Sequence, residues 1–266
     1  MTTALVTGAS AGIGAEFCRQ LAASGHNLVL VARTPDRLEA SAAALRAEHG
    51  IRVEVLAADL ADRADLQRVA DRLTLTGADH VDLLVNNAGF GMDRAFLDAD
   101  ISQEERALDV MCRAVLVLSH AAGRAMTKSG YGGIINVSSV ASFVAMGTYS
   151  AVKAWVTTFS EGLAVDLAPH GVVVTALCPG FTHTEFHERA QMNMSHLPQA
   201  LWLDARDVVD EALADARRGR PISVPGLPYK VLTGVLTVLP RGLVTRASSA
   251  LARGRRNRSG QVISRG

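Results

Sequence analysis

Disulfide frameworks and metal clusters have almost no raw material in this chain. Its three cysteines, Cys18, Cys112 and Cys178, are scattered at spacings that match neither, so they read as small core residues in a reducing cytosol. His183, His187 and His196 are spaced unlike zinc ligands and read as surface histidines, which leaves no metal site to expect. Hydrophobic residues make up 48%, yet no run of eighteen apolar residues occurs, and Met1 leads straight into an apolar strand pattern with no basic n-region or cleavage site. A soluble, cytoplasmic protein is the expectation. Aromatics are only 5% of the chain and no basic motif has a defined geometry, which argues against nucleic acid as a partner. Acidic residues run out altogether after Asp215. Residues 1–215 carry 26 of them against 16 Lys and Arg, a net of −10, whereas residues 216–266 carry 11 Lys and Arg and no acid. The formal net charge of +1 therefore conceals a separate basic tail.

What is present is a regular alternation of short β-branched runs and longer helical patterns. "TALVTG" is followed by the amphipathic "AEFCRQLAASG", "NLVLVAR" by "PDRLEASAAALRAEHG", "VEVLAADL" by "RADLQRVADRLTLTG" and "VDLLVNNAG" by "ALDVMCRAVLVLSHAAGRAM". "GGIINVSS", a helix from Tyr149 to Leu167 and the strand "GVVVTALCPG" complete the series. The strands are apolar throughout, as expected when both sheet faces are covered. Such an order predicts a doubly wound α/β domain with a parallel sheet, a Rossmann fold. A chain of 266 residues fits one such domain better than two small ones. We expect it over residues 1–220, with a substrate lid at about 181–205 and a C-terminal extension over 221–266 whose basic tail is partly disordered. "LDARDVVDEAL" reads as a closing helix capped by Asp204, with Asp207 in its first turn.

The first strand-to-helix turn is "TGASAGIG", Thr7 to Gly14, where backbone amides and the helix dipole can meet a phosphate. Gly8 permits a tight turn, Gly12 lets the backbone approach a pyrophosphate, and Gly14 allows the helix to pack closely on the strand. At the end of the second strand Ala32 stands where an NAD site would place a carboxylate on the ribose, and Arg33 follows. A guanidinium favours a 2′-phosphate, so NADP(H) is the expected cofactor. Tyr149 and Lys153 stand four apart on one helical face, where their polar ends can reach a common point.

Five signatures, "TGASAGIG", "NNAG" at Asn86 to Gly89, "NVSS" at Asn136 to Ser139, "YSAVK" at Tyr149 to Lys153 and "PGFTHT" at Pro179 to Thr184, occur in order, and through them residues 3–215 resemble a short-chain dehydrogenase/reductase. The resemblance implies an NADP(H)-dependent oxidoreductase interconverting a carbonyl and an alcohol. Tyr149 would be the general acid/base and Lys153 its electrostatic partner, which also hydrogen-bonds the nicotinamide ribose. Ser139 would orient the substrate oxygen, with Ser138 and Ser142 as close competitors. For the cofactor, it implies contacts from Gly8, Ser10, Gly12, Ile13 and Gly14, from Asp59 and Leu60 at the adenine, and from Asn86, Ala88 and Gly89 along the cleft. Pro179, Gly180, Thr182 and Thr184 would meet the nicotinamide end, Thr184 or Thr182 at its carboxamide. A free tyrosine is only about 0.1% phenolate at pH 7, and bringing its pKa near neutrality takes about 4 kcal/mol. The neighbouring ammonium, with a cationic nicotinamide in a dry pocket, is expected to supply it. Partners implied are a small-molecule substrate and further copies of the same chain in a dimer or tetramer.

Met111 departs from this pattern. Many relatives carry an Asn in its place, in a context like Leu-Asp-x-Asn, linked to a water through which the lysine reaches solvent protons. A thioether cannot donate, so a side-chain link of that kind is missing. The alternative to an enzyme is therefore an NADP(H)-binding sensor or scaffold with weak or no turnover. In the lid region Met192, Met194, Leu197, Leu201 and Trp202 suit a lipophilic substrate. Beyond it, the cluster Val231, Leu232, Val235, Leu236, Val238 and Leu239 and the seven arginines after Pro240 leave three readings. They form a strand-like return and helix covering the pocket or a partner subunit, an in-plane membrane contact, or a nucleic-acid-binding arm.

Overall fold

A computed structural model of the chain describes residues 2–92, 96–185, 198–240, 242–243 and 245. Seven parallel strands form one sheet: β1 (Thr3–Thr7), β2 (Asn27–Ala32), β3 (Val53–Ala57), β4 (Leu83–Asn86), β5 (Gly132–Val137), β6 (Val172–Leu177) and β7 (Ile222–Ser223), in the order β3-β2-β1-β4-β5-β6-β7. The β-branched runs seen in the sequence become strands because both of their faces are covered. In β1, Ala4 and Val6 join the core formed with α1 (Gly12–Ala23), α2 (Pro35–His49) and the closing helix α7 (Ala205–Arg217). Leu5, between them, points to the opposite core, built with α3 (Arg63–Leu73), α5 (Ala114–Ser129) and α6 (Gly147–Leu167).

Where the expected boundaries moved, the cause is local. The single helix expected around "ALDVMCRAVLVLSHAAGRAM" is α4 (Ile101–Leu108) and α5 joined by a π turn at Asp109–Arg113. Asp100 starts α4, its carboxylate accepting from Ser102 N at 2.9 Å. As expected, Asp204 caps α7, accepting from Arg206 N at 2.7 Å. Among the described residues no helix is long and apolar enough to cross a membrane.

The extension is built into the domain. Its Ile222 and Ser223 pair with Ala176 and Leu177 as the seventh strand. Helix α8 (Leu227–Val238) then packs on the turn Val140–Phe143 and buries Tyr229 and Thr233. Its other face leaves Leu227, Val231, Leu232, Val235 and Val238 exposed. The arginines after Pro240 and the lid residues His187, Met192, Met194, His196 and Leu197 lie outside the described residues.

The chain reverses its direction across the sheet between β1 and β4, which are neighbours although β2 and β3 intervene in sequence. In doubly wound sheets this switch point opens a crevice at the carboxyl ends of the strands. The glycine loop and the "NNAG" turn meet there.

Candidate active site

The wall of the crevice at α1 is a set of bare backbone amides. Ala11 precedes the helix without a side-chain cap, and no acidic residue occupies its first turn, so the helix itself places no side chain against its positive end. Gly8 (φ +66°) and Gly12 (φ +55°) adopt the left-handed conformation that the turn needs. A Cβ on Gly14 would overlap the Gly8 carbonyl and the Asn87 amide, which gives that glycine its packing reason. Ser10 and Ile13 are half-buried on the same loop.

Two residues of the quoted motifs that were given no role of their own in the sequence hold this loop. Thr7 Oγ1 accepts from the backbone N–H groups of Asn87 (2.9 Å) and Ala88 (3.0 Å), and Asn87 Nδ2 donates to the Thr7 carbonyl at 3.0 Å. Asn86 faces inward instead. Its amide donates to Asn136 Oδ1 (2.9 Å) and Ser119 Oγ (3.1 Å), tying β4 to β5 and α5. The second asparagine of "NNAG" was the available signal, since a polar residue beside a glycine loop is placed to satisfy its carbonyls.

Arg33 is exposed directly after β2. Asp59, beyond β3, is gripped by Arg106 of α4 through both carboxylate oxygens, at 2.9 and 2.8 Å, and also accepts from Ala61 N. Burial alone would raise its pKa, but the Arg106 hydrogen bond, with the charges of Arg106 and Arg33, holds it below the usual carboxylate value. Leu60 turns its side chain into the core. Arg106 was not foreseen, because 47 residues separate it from Asp59.

At the other end, β5 runs into Ser138 and Ser139, and the first two turns of α6 present Tyr149 and Lys153. Ser139 is hydrogen-bonded to the Tyr149 phenol and caps the turn at Val140–Phe143, accepting from Ala141 N at 3.1 Å. Ser138 is committed elsewhere. Its buried hydroxyl bonds the Lys153 carbonyl and Thr157 Oγ1, both at 2.7 Å, pinning α6 to β5. Ser142 is half-buried, with its hydroxyl tucked beside the Cys178 thiol. Lys153 is 5% exposed; its Nζ donates to the Val137 carbonyl at 2.9 Å and lies 5.7 Å from the centre of the Tyr149 ring. Thus Ser139, Tyr149 and Lys153 converge on one point at the crevice.

The electrostatics differ from the sequence expectation. Desolvation pushes Tyr149 up to about 12, against the lowering effect of its Ser139 hydrogen bond. Burial drives Lys153 down to about 8, with the Cys112 and Cys178 thiols opposing. The ammonium is turned toward a carbonyl, and removal from water sets the direction of the phenol's shift. At neutral pH the Tyr149 phenol therefore keeps its proton.

Met111 is buried at 1% exposure in the π turn. A Cβ built on Gly89 would lie 3.2 Å from its sulfur and 3.8 Å from Lys153 Nζ, so thioether and ammonium close on the same glycine. Ala88 packs beside them. The floor opposite is the loop after β6. The Pro179 carbonyl accepts from Val140 N at 3.0 Å, and Thr182, 3% exposed, donates to the Gly180 carbonyl at 3.0 Å. Thr184 faces the glycine loop, 3.2 Å from where a Gly12 Cβ would stand. Nearby, the rings of His183 and Trp202 stack at 4.7 Å. No group of three metal-binding side chains occurs among the described residues.

The sequence profile of the short chain dehydrogenase family matches residues 2–195. The short-chain reductase protein NovJ of Streptomyces niveus is 36% identical over 240 residues, 89% of this chain and 86% of that protein. Among solved structures, a short-chain dehydrogenase from Sphingobium yanoikuyae in complex with NADPH is 36% identical and superposes with a TM-score of 0.81, covering 91% of this chain and 97% of the other. The bulky-bulky ketone specific alcohol dehydrogenase of Comamonas testosteroni is 32% identical, with a TM-score of 0.77 over 91% and 96% of the two chains.

Proposed function

The chain belongs to the short-chain dehydrogenase/reductase family of nicotinamide-dependent oxidoreductases, and from that premise we propose that it is an NADP(H)-dependent enzyme interconverting a carbonyl and an alcohol on a bulky, lipophilic substrate. The observation that carries the reading is the convergence of Ser139, Tyr149 and Lys153 at the switch-point crevice. A pyrophosphate-bearing dinucleotide fits the bare amides and left-handed glycines at the start of α1. The exposed Arg33 offers a guanidinium to a 2′-phosphate, and the NADPH held by the Sphingobium relative supports that choice. The ketone specificity named for the Comamonas relative supports the substrate class.

When bound, the cofactor supplies the hydride. The protein manages the proton. Ser139 donates a hydrogen bond to the substrate oxygen, and Tyr149, kept protonated by desolvation, delivers its phenolic proton to that oxygen as negative charge develops there. Lys153 lowers the cost of the phenolate left behind, and its own pKa of about 8 lets it share a proton near neutrality. Reduction is the direction for which the resting protonation is prepared. Exposed Leu108, Leu116 and Val165 on α4, α5 and α6 support assembly with further copies of the chain.

The test follows NADPH consumption across a panel of bulky ketones with the wild type and Tyr149→Phe. Wild-type turnover should fall by about three orders of magnitude in the variant while NADPH binding persists. If both proteins bind NADPH and neither turns over any ketone, the enzyme reading fails in favour of a sensor, the reading that Met111 motivates. A second reading of the extension, contact with an anionic lipid surface, is favoured by the exposed apolar row on α8 directly preceding the acid-free arginine tail.

A further inference from the structure

The hydroxyl of Tyr229 joins two stretches of backbone that are far from it in sequence. Tyr229 stands in the first turn of α8 and is 3% exposed. Its oxygen accepts from Phe181 N at 3.1 Å and donates to the Leu201 carbonyl at 2.6 Å. Phe181 belongs to the arm leaving β6, and Leu201 to the arm returning toward the Asp204 cap of α7. The arms also bond each other directly, Leu203 N to the Phe181 carbonyl at 2.8 Å and His183 N to the Leu203 carbonyl at 2.9 Å. The ring of Tyr229 fills the space in which a Cβ of Gly180 would lie, so that glycine is required by the helix behind it. Helix α8 is itself anchored by Glu211, which accepts from Gly226 N at 3.2 Å and pairs with Lys230.

We propose that Tyr229 is a positioning residue for the nicotinamide end of the cofactor site, holding the Pro179–Thr184 arm against the glycine loop from behind. This rests on the NADP(H) reading above and extends it to the C-terminal helix. The physical basis is the number of bonds that converge. Thr182 and Thr184 are tied to the arm's own carbonyls, and the arm is tied to the domain through a phenol that satisfies one donor and one acceptor at once. Without that oxygen a half-buried N–H and a half-buried C=O each lose this bond, and local opening of the arm is the cheapest remedy.

Tyr229→Phe keeps the ring against Gly180 and removes only the hydroxyl. Dissociation constants are measured for NADPH and for adenosine 2′,5′-bisphosphate, which carries the adenine and 2′-phosphate but no nicotinamide. The variant should bind NADPH about tenfold more weakly and the bisphosphate as the wild type does, because Arg33 and the glycine loop are untouched. Hydrogen exchange gives a local readout: the Phe181 amide should exchange about tenfold faster in the variant, with the β6 amides unchanged. Unchanged NADPH affinity overturns the proposal, and so does an equal loss for both probes, which would mark a general structural role. A wild type that binds neither probe overturns the NADP(H) reading itself and leaves Tyr229 no cofactor to position.

Discussion

Replacing Lys153 by Met tests whether its amine is as deeply desolvated as the structure places it. Burial takes the group from an ordinary 10.5 to about 8, which at about 1.4 kcal/mol per pH unit corresponds to about 3 kcal/mol of folding free energy. The folded protein holds this proton less tightly than the unfolded chain does. Its cost is therefore fully present below about pH 8 and is relieved as the pH rises toward 10.5. Methionine does not titrate, so the stability difference between wild type and Lys153→Met isolates the group from every titration except those of the Cys112 and Cys178 thiols coupled to it. The bond from Nζ to the Val137 carbonyl survives deprotonation and largely cancels. Urea unfolding of both proteins at about pH 7 and about pH 9.5 should show the wild type gaining about 2 kcal/mol on the variant over that interval. Tyr149, pushed up to about 12, loses stability only above pH 10 and does not intrude. A change of sign, or a flat difference, would mean that the amine reaches water. The account of Tyr149 as a resting proton donor beside a neutralisable lysine would then fall.

Two further outcomes follow from named residues. Arg33→Ala should weaken NADPH binding by about 1.5–3 kcal/mol and leave NADH binding unchanged, read by fluorescence titration; equal effects on both would remove Arg33 from the 2′-phosphate. The full chain should cosediment with phosphatidylserine-rich vesicles at low salt, weaken with added salt and lose binding on truncation after Pro240. Indifference to vesicle charge, or concentration-dependent self-association that vanishes with Val231→Glu and Val235→Glu, would show that the exposed face of α8 serves another copy of the chain.

The strand and helix order was legible because the apolar runs are short and β-branched and the helical patterns between them carry end signals, as at Gly25 after α1 and Asp204 before α7. Gly8, Gly12 and Gly14 could be assigned physical reasons from position alone, and the backbone angles and contacts supply those reasons. The π turn at Asp109–Arg113 left no compositional mark, since it changes which carbonyl a given N–H meets and not which residues are present. Arg106 on Asp59 and Tyr229 on Phe181 were hidden by separations of 47 and 48 residues, which only the folded topology closes. The phenol's pKa went the other way for a different reason. Sequence shows which charge stands four residues off, but how much water is lost depends on packing from every side.

Two residues, Ile222 and Ser223, finish the sheet. Cut the polypeptide at residue 220 and β6 becomes the border, its Ala176–Leu177 backbone stripped of a neighbour while the apolar row beside it stays intact. An uncovered border of that kind templates pairing with whatever extended chain it meets. Shortened versions made to remove the arginine tail should therefore keep Ser223, and the whole of α8 with it, or they invite aggregation that has nothing to do with catalysis.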